Sequence, residues 1–138
     1  MEKDPNQDSD KQELIFKFSM FEQQIQQLQQ QLQAVEQALV DITSLSMGLD
    51  EFKGSEGKEI FAPIGRGIFA KTKLLSEELT VDVGGGNFVK KSIPETKKII
   101  EKQINKLEDV KKDLNDNLEK VSEELVKVMN EGREKEGK

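Results

Sequence analysis

The chain has 138 residues, of which 34% are hydrophobic and 35% charged, and its net charge is −6 at pH 7. So small an apolar share argues against one compact core and for an elongated, well-solvated structure. The acidic balance without a basic stripe excludes nucleic acid and anionic membrane as partners, and no apolar run approaches the ~20 residues of a membrane span or follows Met1 as a signal peptide would, so a cytoplasmic protein is expected. Cys, His, Trp and Tyr are all absent. The commonest thiol nucleophile, general base and transition-metal ligand are therefore missing, and the carboxylates are scattered at the spacing of solvated helical faces. No enzyme is expected, and no catalytic, metal or cofactor residues are assigned.

Residues 1–11 are polar, contain Pro5 and show no periodicity, which predicts a disordered tail. Over residues 12–49 apolar side chains then recur in steps of four and three: Leu14, Phe18, Phe21, Ile25, Leu28, Leu32, Val35, Leu39 and Ile42. This is a heptad seam, with a at Phe18, Ile25, Leu32 and Leu39 and d at the other five. The intervening glutamines suit a solvated helical face.

Residues 50–92 lose the heptad and gain glycine and β-formers. Here "GRGIFAKT", Gly65–Thr72, differs by one residue from the phosphate-binding loop G-x-x-x-x-G-K-[ST], because Ala70 stands at the second glycine. The block also repeats itself. "IGRGIFAK" from Ile64 lies over "VGGGNFVK" from Val83 at an offset of 19, and "EIFAP" and "ELTVD" precede the two copies. The shared pattern [IV]-G-x-G-x-F-[AV]-K is turn chemistry flanked by extended runs, so two β-hairpins are predicted, turning at Gly65 and Gly67 and at Gly84 and Gly86. A phosphate loop gives no reason for the second copy, and about 40 residues cannot supply the parallel sheet it needs. "KLLSEEL" after Thr72, readable as a short helix, is the one feature in favour of a phosphate loop. Four short strands forming one small sheet leave free edges, so pairing with the same region of other chains in a closed barrel is expected.

A second seam occupies residues 93–131. Its d positions are Ile93, Ile100, Leu107, Leu114, Val121 and Val128, and its a positions Lys97, Ile104, Lys111, Leu118 and Leu125. Ser92 is positioned as cap and Pro94 fits the first turn. The two lysines depart from the seam, with stems able to lie along it. Equal seams imply an antiparallel coiled coil within one chain, in either of two registers: Phe18 opposite Val121 or opposite Val128. Residues 132–138 read as a second disordered tail.

The order coil, two hairpins, coil, together with the motifs "APIGRGIFAKTKL" and "VDVGGGNFVKKSI", resembles the prefoldin family from about Leu14 to Met129, and specifically its archaeal α class, which has two hairpins where the β class has one. The resemblance implies an α+β fold: a long antiparallel intramolecular coiled coil whose two hairpins join an oligomeric β-barrel hub. It further implies an ATP-independent co-chaperone, in which two such subunits and four one-hairpin β-class subunits hold non-native proteins and pass them to a group II chaperonin. The leucine-rich "LLSEEL" and the Gln-rich first helix depart from expectation, and keep a structural coiled-coil spacer or filament-forming paralogue as the alternative.

With the hairpins at the hub, both chain ends belong at the tip of the arm, where a holdase must expose apolar surface. Ile15 and Phe16 fall at e and f, Met20 at c, Val126 at b and Met129 at e, all off the seams. These five are the candidate client-binding residues, and unbranched Met suits varied partners.

Overall fold

A computed structural model describes residues 5–136, with side chains from Ser9 to Glu134. The elements are helix α1 (Pro5–Phe52), strands β1 (Glu59–Gly65), β2 (Ile68–Lys73), β3 (Leu79–Asp82) and β4 (Phe88–Lys91), and helix α2 (Ile93–Glu136). The described residues fall into two compact units. One joins the chain through Gln37 to the chain from Glu108 onward; the other is Ala38–Leu107.

Both helices run further than the sequence suggests. Residues 5–11 and 132–136, expected as disordered tails, are helical, while residues 1–4 and 137–138 lie outside the described residues. Gln, Lys and Glu propagate a nucleated helix readily, and Pro5 stands at the first helical position, where its missing N–H costs nothing. At its other end α1 continues to Phe52 and stops at Gly54, whose φ of 71° is the left-handed conformation of a helix C-terminus. The Gly54 N–H donates to Glu77 Oε1 at 2.7 Å.

Burial follows the heptads closely. Every seam residue from Leu14 to Ile42, and every one from Ile93 to Val128, is buried or half-buried, whereas most positions between them are exposed. The seam of α1 also continues one heptad beyond Ile42, through Ser46 to Leu49, and Leu49 is among the most buried residues. In the second unit Leu49 packs with Ile93 and Ile100, with Ile42, Phe52, Leu79 and Ile104 against them. Ser92 caps α2: its hydroxyl accepts from the Glu95 N–H at 3.2 Å, and its carbonyl accepts from Thr96 Oγ1 at 2.8 Å.

The register is also decided. In the first unit Phe18 and Val128 line a common cleft to which Val121, about 10 Å further along the helix, does not contribute. In the second, Ile42 and Ile104 meet one cluster. Both observations fit Phe18 opposite Val128. The departure at Lys97 has a partner in this register, since its ammonium reaches across to Asp50 Oδ1.

The four strands do not make one sheet. They form two separate two-stranded antiparallel sheets, β1–β2 and β3–β4. The internal repeat is reproduced pair for pair: Ile60 faces Thr72 as Leu79 faces Lys91, and Pro63 faces Phe69 as Asp82 faces Phe88. The repeat extends to an ion pair, Lys71–Glu59 at 3.1 Å and Lys90–Glu78 at 3.6 Å, again 19 residues apart. Each turn has two central residues at positive φ: Arg66 (49°) and Gly67 (79°), and Gly85 (61°) and Gly86 (77°). That is the requirement of a type I′ turn, whose twist matches paired strands. Gly65 and Gly84, at 145° and 125°, precede these pairs. The middle residue of each G-x-G is therefore left-handed too, which its identity as Arg in the first copy conceals.

Two outcomes follow. In Gly67→Val with Gly86→Val, the added Cβ meets no neighbour, so the cost is backbone strain, about 1–3 kcal/mol per turn. Amide exchange across residues 59–91 should accelerate while the helical far-UV signal persists; unchanged exchange would contradict the turn geometry. Separately, the hydrogen bond and charge of Lys97 hold the Asp50 carboxyl below the ordinary carboxylate range. A group with a depressed folded-state pKa stabilises the fold above its unfolded value and loses that contribution as pH falls through the folded one. An NMR titration should place the Asp50 midpoint below the ordinary aspartate value, and Lys97→Gln should raise it.

Candidate functional site

At the end of the first unit that carries the chain termini, the two seams run out. On α1, Lys11, Leu14, Ile15 and Phe18 recur at i, i+3, i+4 and i+7, so they share one face. On α2 the facing residues are Val128, Met129, Gly132 and Arg133. Together they line an open cleft of about 340 Å³.

Its origin is a defect in the heptad. Counting back from Phe18, the next a position is Lys11; counting on from Leu125, the next is Gly132. Where a leucine would close the layer beside Leu14, Gly132 contributes no side chain, and a Cβ there would meet nothing within 4 Å. Glycine inside a helix costs roughly 1 kcal/mol against alanine. The helix continues regardless to Glu136 and leaves the gap open.

Of the five candidate client-binding residues, Ile15 and Met129 are brought together in this cleft. Ile15 is 66% exposed and Met129 42%. Phe16 (65% exposed), Met20 and Val126 are exposed but do not line it. The cleft residues that sequence reasoning missed are Lys11, Gly132 and Arg133. The heptad count would have found the first two, had it been carried into the polar ends.

The hairpins present a second apolar surface. Phe61, Ile64, Ile68, Phe69, Val83 and Phe88 are all more than half exposed. In the first hairpin Phe61, Pro63 and Phe69 share one face, since Phe61 pairs with Lys71 and Pro63 with Phe69. Two separate sheets also expose more edge backbone than one sheet would.

Nothing here resembles a phosphate site. Ala70, Lys71 and Thr72 are consecutive residues of β2, Lys71 is paired with Glu59, and Thr72 Oγ1 donates to the Ile60 carbonyl at 3.4 Å. The segment from Leu74 to Glu78, open to a helical reading, forms no helix. Among the described residues no cluster of carboxylates is arranged to hold a metal ion, and no helix is long and apolar enough to cross a membrane.

Comparison with known proteins agrees with this architecture. The prefoldin subunit family profile matches residues 21–138. The prefoldin subunit alpha of Methanobrevibacter smithii is 31% identical over 117 residues, covering 84% of this chain and 75% of that protein. The subunit of the same name from Methanosphaera stadtmanae is 33% identical over 89 residues, 64% of each chain. That of Pyrobaculum aerophilum is 26% identical over 119 residues, 86% of this chain and 89% of its own. Among solved structures, the filamentous PFD from Methanocaldococcus jannaschii has a TM-score of 0.72 at 20% identity, covering 83% of this chain and 97% of that one, which shows the fold. With the profile spanning most of the sequence and two hairpins between the helices, the chain belongs to the prefoldin family, in its archaeal α class.

Proposed function

We propose that this chain is a subunit of an ATP-independent cytoplasmic holdase, which captures non-native proteins at the terminal end of its helix pair and delivers them to a group II chaperonin. The observation that carries the reading is the exposure of Ile15 and Phe16 beside an unfilled apolar cleft. Unfolded chains offer apolar side chains in no fixed sequence, and an open layer between two helices accepts them by contact area alone. Prefoldin is a family of non-enzymatic chaperones, which supports a binding role without catalysis.

The exposed hairpin faces and edges supply the assembly surface. Pairing with one-hairpin β-class subunits in an α2β4 hexamer would cover them. A second reading is a filament-forming subunit. The structural neighbour is filamentous, and this chain carries two hairpins of identical register, so a single chain holds both halves of a head-to-tail contact. Native mass separates the two: a defined hexamer with a one-hairpin partner supports the first, and open-ended growth of the chain alone supports the second.

Client capture is tested by Ile15→Ser, Phe16→Ser and Met129→Ser together. All three lie off the seam, so each should shift stability by about half a kcal/mol, leaving thermal midpoint and native mass close to wild type. Capture, read as suppressed light scattering of an unfolding client, should fall sharply, because about 25 cal/mol per Å² of apolar contact is removed from each helix pair and several such pairs gripping one client compound the loss. Val40→Ser, in the other unit and also exposed, should change capture far less. Undiminished protection by the triple variant would move the grip to the partner subunits.

The nucleotide independence is checked at Lys71. Lys71→Ala should protect clients equally with and without Mg-ATP, and the native chain should show no ATP affinity at millimolar concentration. ATP binding that this substitution abolished would overturn the ATP-independent reading.

A further inference from the structure

The cleft has a charge character that the heptad defect alone does not explain. Its two charged lining residues, Lys11 and Arg133, are both cations, one from each helix. The neighbouring carboxylates Asp10, Glu13, Glu131 and Glu134 do not line it. Like most lysines of this chain, neither Lys11 nor Arg133 makes an ion pair among the described residues, so both charges are available to a bound segment. In a chain of net charge −6, the charged side chains lining this apolar gap are nonetheless both positive.

We propose that this cleft selects segments of non-native protein in which an apolar side chain is flanked by carboxylates: the side chain fills the layer left open by Gly132, and the carboxylates pair with Lys11 and Arg133. The proposal rests on the holdase reading and gives it a client chemistry. Apolar contact holds the segment, while the cations choose among segments of equal hydrophobicity and keep an acidic protein from repelling acidic clients. The pairs are solvent-exposed, so the selection is modest and screened by salt.

The test uses the full chain in its native assembly and two fluorescein-labelled peptides with one Leu-Phe-Leu core, flanked by Asp in one and by Lys in the other. Anisotropy should show the acidic peptide binding about three- to ten-fold more tightly at low salt, the yield of two exposed ion pairs, with the preference collapsing at high salt. Lys11→Glu with Arg133→Glu should invert it. Gly132→Leu should raise the thermal midpoint, by removing a helical glycine and filling the layer, yet weaken both peptides. Equal affinities, a preference untouched by the charge reversal, or full binding to Gly132→Leu would each overturn the proposal while leaving apolar capture standing. Failure of both peptides to bind the native chain would take down the holdase reading as well. A change in native mass on charge reversal would show the cleft occupied by a second copy, and would also overturn the proposal.

Discussion

An apolar stripe one or two side chains wide, repeating every three and a half residues, is the constraint on which this molecule depends. A helix pair can bury such a stripe only against its partner, because each helix turns its remaining faces to water. Burial here has that form: seam residues are half-buried along both helices and no described side chain is fully enclosed. The deepest packing occurs where a third element joins in, at Leu49, Ile93 and Ile100, against which Leu79 of β3 also packs. Burial is thus shared among successive layers within each unit rather than gathered into one core.

That distribution is what lets the terminal layer stay open at little cost. Gly132 occupies a seam position, and Lys11 occupies the corresponding end of the other seam, so the last layer offers an apolar floor without a lid. A missing side chain at the centre of a globular core would leave a cavity costing several kcal/mol. At the end of a helix pair, where the layer is already open to water, it costs about the helical penalty of glycine. The lysine at seam position Lys97 is accommodated differently, its ammonium finding Asp50 on the opposite helix.

The hairpins depend on backbone geometry more than on packing. Each turns on two consecutive left-handed residues, and only glycine enters that region without penalty. Arg66 does so in the first hairpin at a cost of about 1 kcal/mol, while Gly85 fills the same place in the second. With a common register, matched ion pairs and apolar faces left open to solvent, the two hairpins are two copies of one structural unit.

Local pattern determined a great deal by itself. The heptads of α1 and α2, the cap at Ser92, the glycine turns and the 19-residue repeat are all short-range or periodic features, and each of them reappears in the structure because helix and hairpin formation are decided within a few residues of chain. The exposure of Ile15 and Phe16 was legible for the same reason, since a heptad assigns every residue a face. Tertiary structure alone decided how these elements meet. Phe18 stands opposite Val128 because packing selects between two registers that a seven-residue period makes equivalent. The strands separate into two sheets, as pairing between distant segments is not encoded in either one. The helices continue through polar ends, because a nucleated helix propagates where apolar periodicity has stopped. The cleft between Leu14 and Gly132 straddles the two classes: the heptad count reaches Lys11 and Gly132, but the gap itself is an absence of contact between residues more than a hundred positions apart, formed only where the two helices lie side by side.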